Sequence, residues 1–351
     1  MTTVAVTGAS SPVGRALLER LDADEGVTRI IGVDVDEPQM PVAKLEFRGA
    51  DLRDRFLAVL LDGADVIVHL GLDTQPARDE DTLFARNTQG TRNVLVAASK
   101  VGARKVVHLS DGTAYGAHPD NPVPLVEDAP LRANPDYAPA YHALLAEELV
   151  AEFADGHPET QVAVLRPAIV LGFRAQSVFA QHLEHPRVLR IHGHEPPLQV
   201  VHVDDLGAAL HLAATTGLVG PYNVAAEGWL SGDEVRAVLG KRSLEVPETV
   251  AFSVARTLWS RGLWAVPPGM LHFLMHPRVL SAARLRAAGW APTRSNREVL
   301  REFLAEHAGY VRLGPLRVRR RDLYAGGATV GLLAGSVLAG RIARRVRGQG
   351  A

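Results

Sequence analysis

Eight residues near the amino terminus, Thr7-Gly8-Ala9-Ser10-Ser11-Pro12-Val13-Gly14, have the composition of a loop that holds phosphate. Small residues let the backbone approach an anion, Pro12 suits the first turn of a helix, and the N–H groups and dipole at a helix start attract negative charge. In this reading Gly8 makes the tight turn, Gly14 lets the helix pack against the preceding strand, and Ser10, Ser11, Pro12 and Val13 line the anion. About twenty residues further on, Asp34 ends the run Ile30-Ile31-Gly32-Val33-Asp34. A carboxylate there accepts hydrogen bonds from the ribose hydroxyls of an adenosine and repels a 2′-phosphate, so the pair predicts NAD(H) over NADP(H) as cofactor. Asp36 is the competing acid, read as a solvated loop carboxylate.

Other reactive constellations are weaker. His182 with His185, His192 with His194 and His272 with His276 have spacings a metal could use, but no HExxH motif or carboxylate partner accompanies them, so packed or solvated rings are expected. The chain has no cysteine, which excludes disulfides, thiolate metal sites and thiol nucleophiles. It has neither a GxSxG elbow nor a GxxxxGK[ST] loop, and hydrolase or triphosphatase chemistry lacks support. A net charge of −1 gives no reason to expect nucleic acid as a partner.

The elements that must position these residues are legible as alternation. Short β-rich apolar runs alternate with helical stretches, the pattern of βα units in a parallel sheet buried on both faces. Strands are expected near Val4–Thr7, Arg29–Asp34, Ala43–Arg48, Val66–Leu70, Lys105–Leu109 and Val162–Arg166, and helices near Val13–Leu21, Arg53–Leu61, Phe84–Val101 and Tyr141–Ala154. This predicts an α/β fold with a doubly wound parallel sheet over residues 1–171, whose ligand crevice lies at the carboxyl ends of the strands. From residue 172 to 311 the rhythm lengthens, with a further strand at Tyr222–Val224 and helices near Asp233–Leu239 and Thr249–Leu263, which suits a smaller unit covering a substrate. Residues 312–351 form a separate basic and apolar tail. The opening MTTVAVTG enters the first strand without a basic n-region, so a secretory signal is not expected and the cytoplasm is the expected compartment.

With these elements in place, the chain resembles the extended short-chain dehydrogenase/reductases, the NAD-dependent epimerase/dehydratase group. That family carries TGxxGxxG, and this chain reads TGASSPVG, with Ser11 at the middle glycine. Further landmarks follow in order: Asp51-Leu52, His69-Leu70-Gly71, Asn87-Thr88-Gln89-Gly90-Thr91-Arg92-Asn93-Val94-Leu95, Leu165-Arg166-Pro167, Val201-His202-Val203-Asp204-Asp205-Leu206, Tyr222-Asn223-Val224 and Gly289-Trp290-Ala291-Pro292. The resemblance implies a Rossmann fold. It also implies adenine contacts at Asp51 and Leu52, cofactor contacts at Leu70, Gly71 and Asn87, and a structural junction at His202–Asp205.

The resemblance also implies a catalytic set, and here the chain departs from it. The family uses a Ser or Thr four residues before the tyrosine of a YG pair, and a Tyr-x-x-x-Lys on the next helix. Counting back from Tyr115 places Asp111 at the first position, with Ser110 and Thr113 beside it. Tyr141 takes the tyrosine position, but Leu145 stands where the lysine would be. An unassisted tyrosine has a pKa near 10, so Tyr141 alone is a poor proton shuttle. His142 points about 100° away and cannot simply replace the lysine. Three readings follow: an NAD(H)-dependent oxidoreductase or epimerase/dehydratase-like enzyme acting on a nucleotide-sugar or related alcohol or ketone, with Tyr141 as acid/base and Ser110, Asp111 or Thr113 orienting the substrate; a catalytically silent dinucleotide-binding regulatory or interaction module; and a membrane-associated reductase of an apolar alcohol, resembling the 3β-hydroxysteroid dehydrogenase branch.

The third reading rests on the apolar segment Phe252–Met275 and on the tail. Residues 323–340 are uncharged and would rise about 27 Å as a helix, near the minimum for a span. Arginines flank both ends, which suits an interfacial element against anionic lipid over residues 317–347, peripheral on the inner face of the plasma membrane. A homodimer is also compatible with the sequence. An anchoring tail predicts that the chain sediments with membranes and that truncation after Arg312 releases it; an unchanged soluble fraction removes the idea.

Overall fold

A computed structural model describes residues 2–172, 178–264, 266–313, 316–319 and 321 of the chain. In the first half, β1 (Thr2–Thr7), α1 (Pro12–Ala23), β2 (Val27–Asp34), β3 (Leu45–Gly49), α2 (Leu57–Leu60), β4 (Val66–His69), α3 (Glu80–Phe84), α4 (Gly90–Val101), β5 (Lys105–Leu109), α5 (Ala138–Gly156) and β6 (Gln161–Pro167) follow one another. A π-helical turn, Ala85–Gln89, joins α3 to α4, and a short 3₁₀ turn, Gly112–Tyr115, follows β5. In the second half come β7 (Ile169–Leu171), α6 (Val178–Glu184), β8 (Arg187–Ile191), β9 (Val200–His202), α7 (Val203–Thr215), β10 (Gly220–Val224), α8 (Gly232–Leu239), β11 (Arg242–Val246), α9 (Glu248–Ser260), α10 (Ala283–Ala287), α11 (Asn296–His307), β12 (Tyr310–Leu313) and β13 (Leu316–Arg319).

Seven parallel strands form the central sheet in the order β10-β6-β5-β4-β1-β2-β3. The chain winds outward from β1 through β2 to β3, then returns to β4 on the other side, so the strand order reverses between β1 and β4 and leaves a crevice there. Apolar residues on both faces explain the strand composition: Val4, Val6, Val68 and Leu165 pack on the face covered by α1 and α7, and Ala5, Ile31, Ile67 and Val106 on the face covered by α4 and α5. The expected elements are present, with one shortened: the segment read as a helix from Arg53 to Leu61 is a turn with only Leu57–Leu60 helical. The helix α7 was not anticipated. His202 caps it by accepting from the Asp204 N–H at 3.2 Å, and Gly207 lets it press on α1, since a Cβ there would lie 2.8 Å from that of Ala16.

The smaller unit is built from β7 paired with β9, β8 paired with β11, and α6, α8 and α11. Within Phe252–Met275 the two halves differ: Met270 and Phe273 are buried against Tyr137 and Ala140, whereas on α9 Ala255 is buried and Val254 is exposed. The strands β12 and β13 pair antiparallel and are held to α6, where Glu184 pairs with Arg312 and Arg317 at 3.2 Å each. The uncharged run from Leu323 to Gly340 lies outside the described residues. Among the described residues no helix is long and apolar enough to cross a membrane. Truncation after Arg312 would remove β13, whereas truncation after Arg321 keeps the β12–β13 pair.

Two histidines sit in the sheet beneath the crevice. His69 is buried between Thr7 and Thr91, at 2.8 and 3.1 Å, and burial pulls its pKa down to about 4. His108 lies beside it, with ring centroids 5.3 Å apart, and neither of its ring nitrogens has a hydrogen-bond partner among the described residues. In α6, burial likewise lowers His182 to about 4. Unfolded imidazoles take up a proton near 6.5, so between about 6.5 and 4 the unfolded state binds more protons and stability is lost as pH is lowered, by roughly 3 kcal/mol at most for each of His69 and His182. Urea unfolding at pH 7, 5.5 and 4 should follow that slope, and a flat profile refutes it. His108→Leu removes an unpaired buried ring and is expected to stabilise the fold by about 1–3 kcal/mol; a lower denaturation midpoint than wild type counts against it.

Candidate functional site

The carboxyl ends of β1, β2, β4, β5 and β6 open onto a cavity of about 510 Å³. One wall is the loop before α1. Ser11 is its N-cap in extended conformation: its Oγ accepts from the Gly14 N–H at 2.9 Å and donates to the Gly8 carbonyl at 2.8 Å. The serine at the family's middle glycine thus spends its hydroxyl on the cap. Gly8 has φ +73°, and a Cβ there would lie 3.0 Å from the Leu70 carbonyl; at Gly14 a Cβ would lie 2.5 Å from the Ala9 oxygen. Both positions demand glycine because β1, its loop and α1 are in direct backbone contact.

Asp34 closes the far end of this wall. Its carboxylate accepts from the Ser10 N–H at 2.9 Å and the Val35 N–H at 2.7 Å, which fixes it at the tip of β2 with further lone pairs available to a ligand. Ser10, Ser11, Pro12, Val13, Asp34, Leu70 and Gly71 all line the cavity, whereas Gly8 and Gly14 lie behind it.

The other sequence-derived cofactor positions support the wall from outside. Asp51 bonds the Arg53 N–H and guanidinium at 2.7–2.9 Å, which holds its carboxyl down to about 2. Leu52 fills the space that side chains at Gly71 and Gly90 would need, at 2.2 and 3.3 Å. Asn87 is fully buried. It accepts from the Asp73 N–H at 2.8 Å and donates to the Asp73 carbonyl at 2.9 Å, and so fastens the Gly71–Gln75 loop, which forms part of the cavity wall.

The catalytic candidates separate. Ser110 and Asp111 line the cavity. Asp111 also accepts from the Thr113 N–H at 2.7 Å and caps the 3₁₀ turn on which Thr113 is buried. Tyr141 is 40% exposed on α5 and is not among the residues lining the cavity. Its neighbour His142 faces inward instead, with Nδ1 3.4 Å from the Asn87 amide nitrogen, because adjacent helix positions diverge by about 100°. Burial lowers the His142 pKa. The histidine pairs do not assemble: no cluster of metal-ligating side chains is present among the described residues.

The profile of the NAD dependent epimerase/dehydratase family matches residues 4–225. The chain belongs to that family. An uncharacterized protein of Mycobacterium tuberculosis, Rv0501, is 26% identical over 339 residues, covering 94% of this chain and 89% of the relative. The N-acetyl-alpha-D-glucosaminyl-diphospho-ditrans,octacis-undecaprenol 4-epimerase of Escherichia coli O157:H7 is 30% identical over 174 residues, 49% of this chain and 50% of the relative. Among solved structures, MoeE5 in complex with UDP-glucuronic acid and NAD matches with a TM-score of 0.68 at 21% identity, covering 87% of this chain and 99% of that one. The UDP-glucuronic acid 4-epimerase of Bacillus cereus in complex with NAD matches with 0.67 at 16% identity and the same coverage.

In this member of the epimerase/dehydratase family a buried polar network backs the cavity, and sequence reasoning did not find it. Ser110 Oγ donates to Glu147 of α5. Glu147 receives three hydrogen bonds from Arg166 of β6 at 2.6–3.0 Å. Arg166 also donates to the Tyr115 hydroxyl at 2.8 Å and the Glu127 carbonyl at 2.9 Å, and Tyr115 donates to Asn223 of β10 at 2.9 Å. The available signals were Leu165-Arg166-Pro167 and Tyr222-Asn223-Val224, but nothing local announced Glu147 as the carboxylate they serve. Arg278 and Phe179 on the cavity wall were also missed. Arg166→Met leaves the Glu147 charge buried without its cation and is expected to cost about 3–5 kcal/mol in chemical denaturation; a loss below 1 kcal/mol contradicts the arrangement.

Proposed function

We propose that this chain is an NAD(H)-dependent enzyme of the oxidoreductase or epimerase/dehydratase type, acting on the carbinol or ketone of a nucleotide-sugar or related substrate. The observation that carries the reading is the single cavity that joins the amino end of α1, the Asp34 carboxylate and the Ser110–Asp111 pair. These residues fit NAD(H): the loop offers small residues and a helix start to a pyrophosphate, and Asp34 offers a carboxylate, fixed by two backbone N–H groups, that suits a ribose and repels a 2′-phosphate. The nucleotide-sugar class is supported by the epimerase relative and by the UDP-glucuronic acid held by MoeE5.

When bound, the nicotinamide supplies a hydride acceptor or donor. The chain's own residues then have to place the reacting carbon and handle one proton. With that acceptor in place, an alcohol substrate would also have to give up its hydroxyl proton, and that proton needs a base on the cavity wall. We assign the proton to Asp111 and the orientation of the oxygen to Ser110; that both line the cavity at the end of β5 supports the assignment. The family's tyrosine and lysine roles have no counterpart on this wall, since Tyr141 is half exposed and α5 contains no lysine.

That last observation favours one further reading, a dinucleotide-binding module without turnover. The two are separated by experiment. Calorimetry should show NADH bound in preference to NADPH, and Asp34→Ala should weaken NADH by about tenfold or more; full affinity in that variant means the ribose contact is misplaced. In a panel of nucleotide-sugars followed at 340 nm, Asp111→Asn should slow turnover by roughly a hundredfold, the scale of a lost proton-transfer group, with Tyr141→Phe near wild type. NADH binding with no turnover of any panel member selects the silent module.

A further inference from the structure

Among the described residues of the cavity wall, Arg278 carries a charge that no hydrogen bond engages. It follows the 3₁₀ segment Pro268–Leu274 and enters the cavity beside Asp111 and Phe179. Its side chain is only 6% exposed, with the guanidinium over the Phe179 ring at 5.5 Å and the Phe273 ring at 5.4 Å. The nearest carboxylate, Asp111, is 3.9 Å away, a charge contact too long for a hydrogen bond. Asp111 meanwhile accepts from the Thr113 N–H. No hydrogen-bond acceptor for the five N–H donors of Arg278 is found among the described residues.

The backbone around Arg278 is held on every side. Asn121 donates to the Pro277 carbonyl at 3.0 Å, Leu125 to the Val279 carbonyl at 2.6 Å, and Gln199 both accepts from and donates to Leu280 at 2.7 and 3.0 Å. A largely buried cation costs several kcal/mol of lost hydration, and two aromatic faces with one distant carboxylate return only part of it. The wall is therefore fixed around donors that find no acceptor among the described residues. That arrangement suits a planar anion delivered from the cavity, because a carboxylate matches the guanidinium fork through two parallel hydrogen bonds.

We propose that Arg278 is a receptor for a carboxylate on the substrate, so that this enzyme takes an acidic sugar in preference to its neutral counterpart. The proposal rests on the nucleotide-sugar reading above and adds a charge to it. Phe179 and Phe273 screen the guanidinium from water, which strengthens its attraction for an anion and makes a neutral hydroxymethyl group a poor substitute. Asp111 holds the empty cation in place and at 3.9 Å leaves its donors to the ligand.

The test uses the full chain saturated with NAD, titrated with UDP-glucuronate and UDP-glucose in a calorimeter. Wild type should bind UDP-glucuronate at least about tenfold more tightly, the scale of a lost charge-assisted hydrogen bond, Arg278→Gln should remove the difference, and Arg278→Lys should keep part of it. NADH affinity within twofold of wild type certifies that each variant is folded. Equal binding of the two sugars to wild type, or a preference that survives Arg278→Gln, overturns the receptor and leaves the nucleotide-sugar reading standing. Binding of neither overturns the nucleotide-sugar reading, and D-glucuronate against D-glucose on the NAD-loaded protein then decides Arg278 alone. A large loss of NADH affinity in Arg278→Gln, with the wild-type thermal midpoint, assigns the cation to the cofactor and also overturns the proposal.

Discussion

The close approach of α1 to the end of β1 is the constraint on which the site depends. With no side chain at Gly14, the first turn of the helix meets the carbonyls of Gly8 and Ala9 at distances a Cβ would occupy. The turn at Gly8 in turn lies against the Leu70 carbonyl at the end of β4. These two contacts seat the amino end of a helix at the place where the strand order reverses, so a dipole and a crevice coincide. The arrangement also explains why α7 must be thin where it crosses α1, at Gly207 against Ala16.

Around this centre the cavity has two differently built ends. The end at α1 and β2 is made by backbone: the Ser10 and Val35 N–H groups fix Asp34, and Ser11 secures the cap. The end at β5 and β6 is made by buried charge. Ser110 leans on Glu147, Glu147 on Arg166, and Arg166 on Tyr115 and Glu127, while Asp111 faces Arg278 across 3.9 Å. Buried pairs of this kind add little net stability over well-packed apolar residues but are costly to break, so they hold side-chain positions more than they hold the fold. The departure from the family's catalytic set falls entirely at this second end.

Membership of the epimerase/dehydratase family thus carries the fold and its cofactor dependence further than it carries a reaction. The structures it resembles share the architecture at 16–21% identity, and the residues that face a substrate are those that differ most readily between members of one fold. Here Tyr141 is turned outward, His142 inward, and the cavity wall at the end of β5 carries a carboxylate, a hydroxyl and a guanidinium.

What could be read from the sequence was local. The alternation of apolar runs placed the strands and most helices, since a strand buried on both faces must be apolar throughout. The loop Gly8–Gly14 and Asp34 announced a dinucleotide, because their roles are set by backbone conformation and by a spacing of about one βαβ unit. The turn at Arg53–Phe56, the inward face of α5 and the partners of Arg166 were decided by packing. Glu147 meets Arg166 only because α5 lies across β6, and Arg278 reaches Asp111 only because a segment more than a hundred residues away in the chain folds back over β5. Burial, and therefore the cost of an unsatisfied charge, is a property of the assembled fold, and no spacing along the chain contains it.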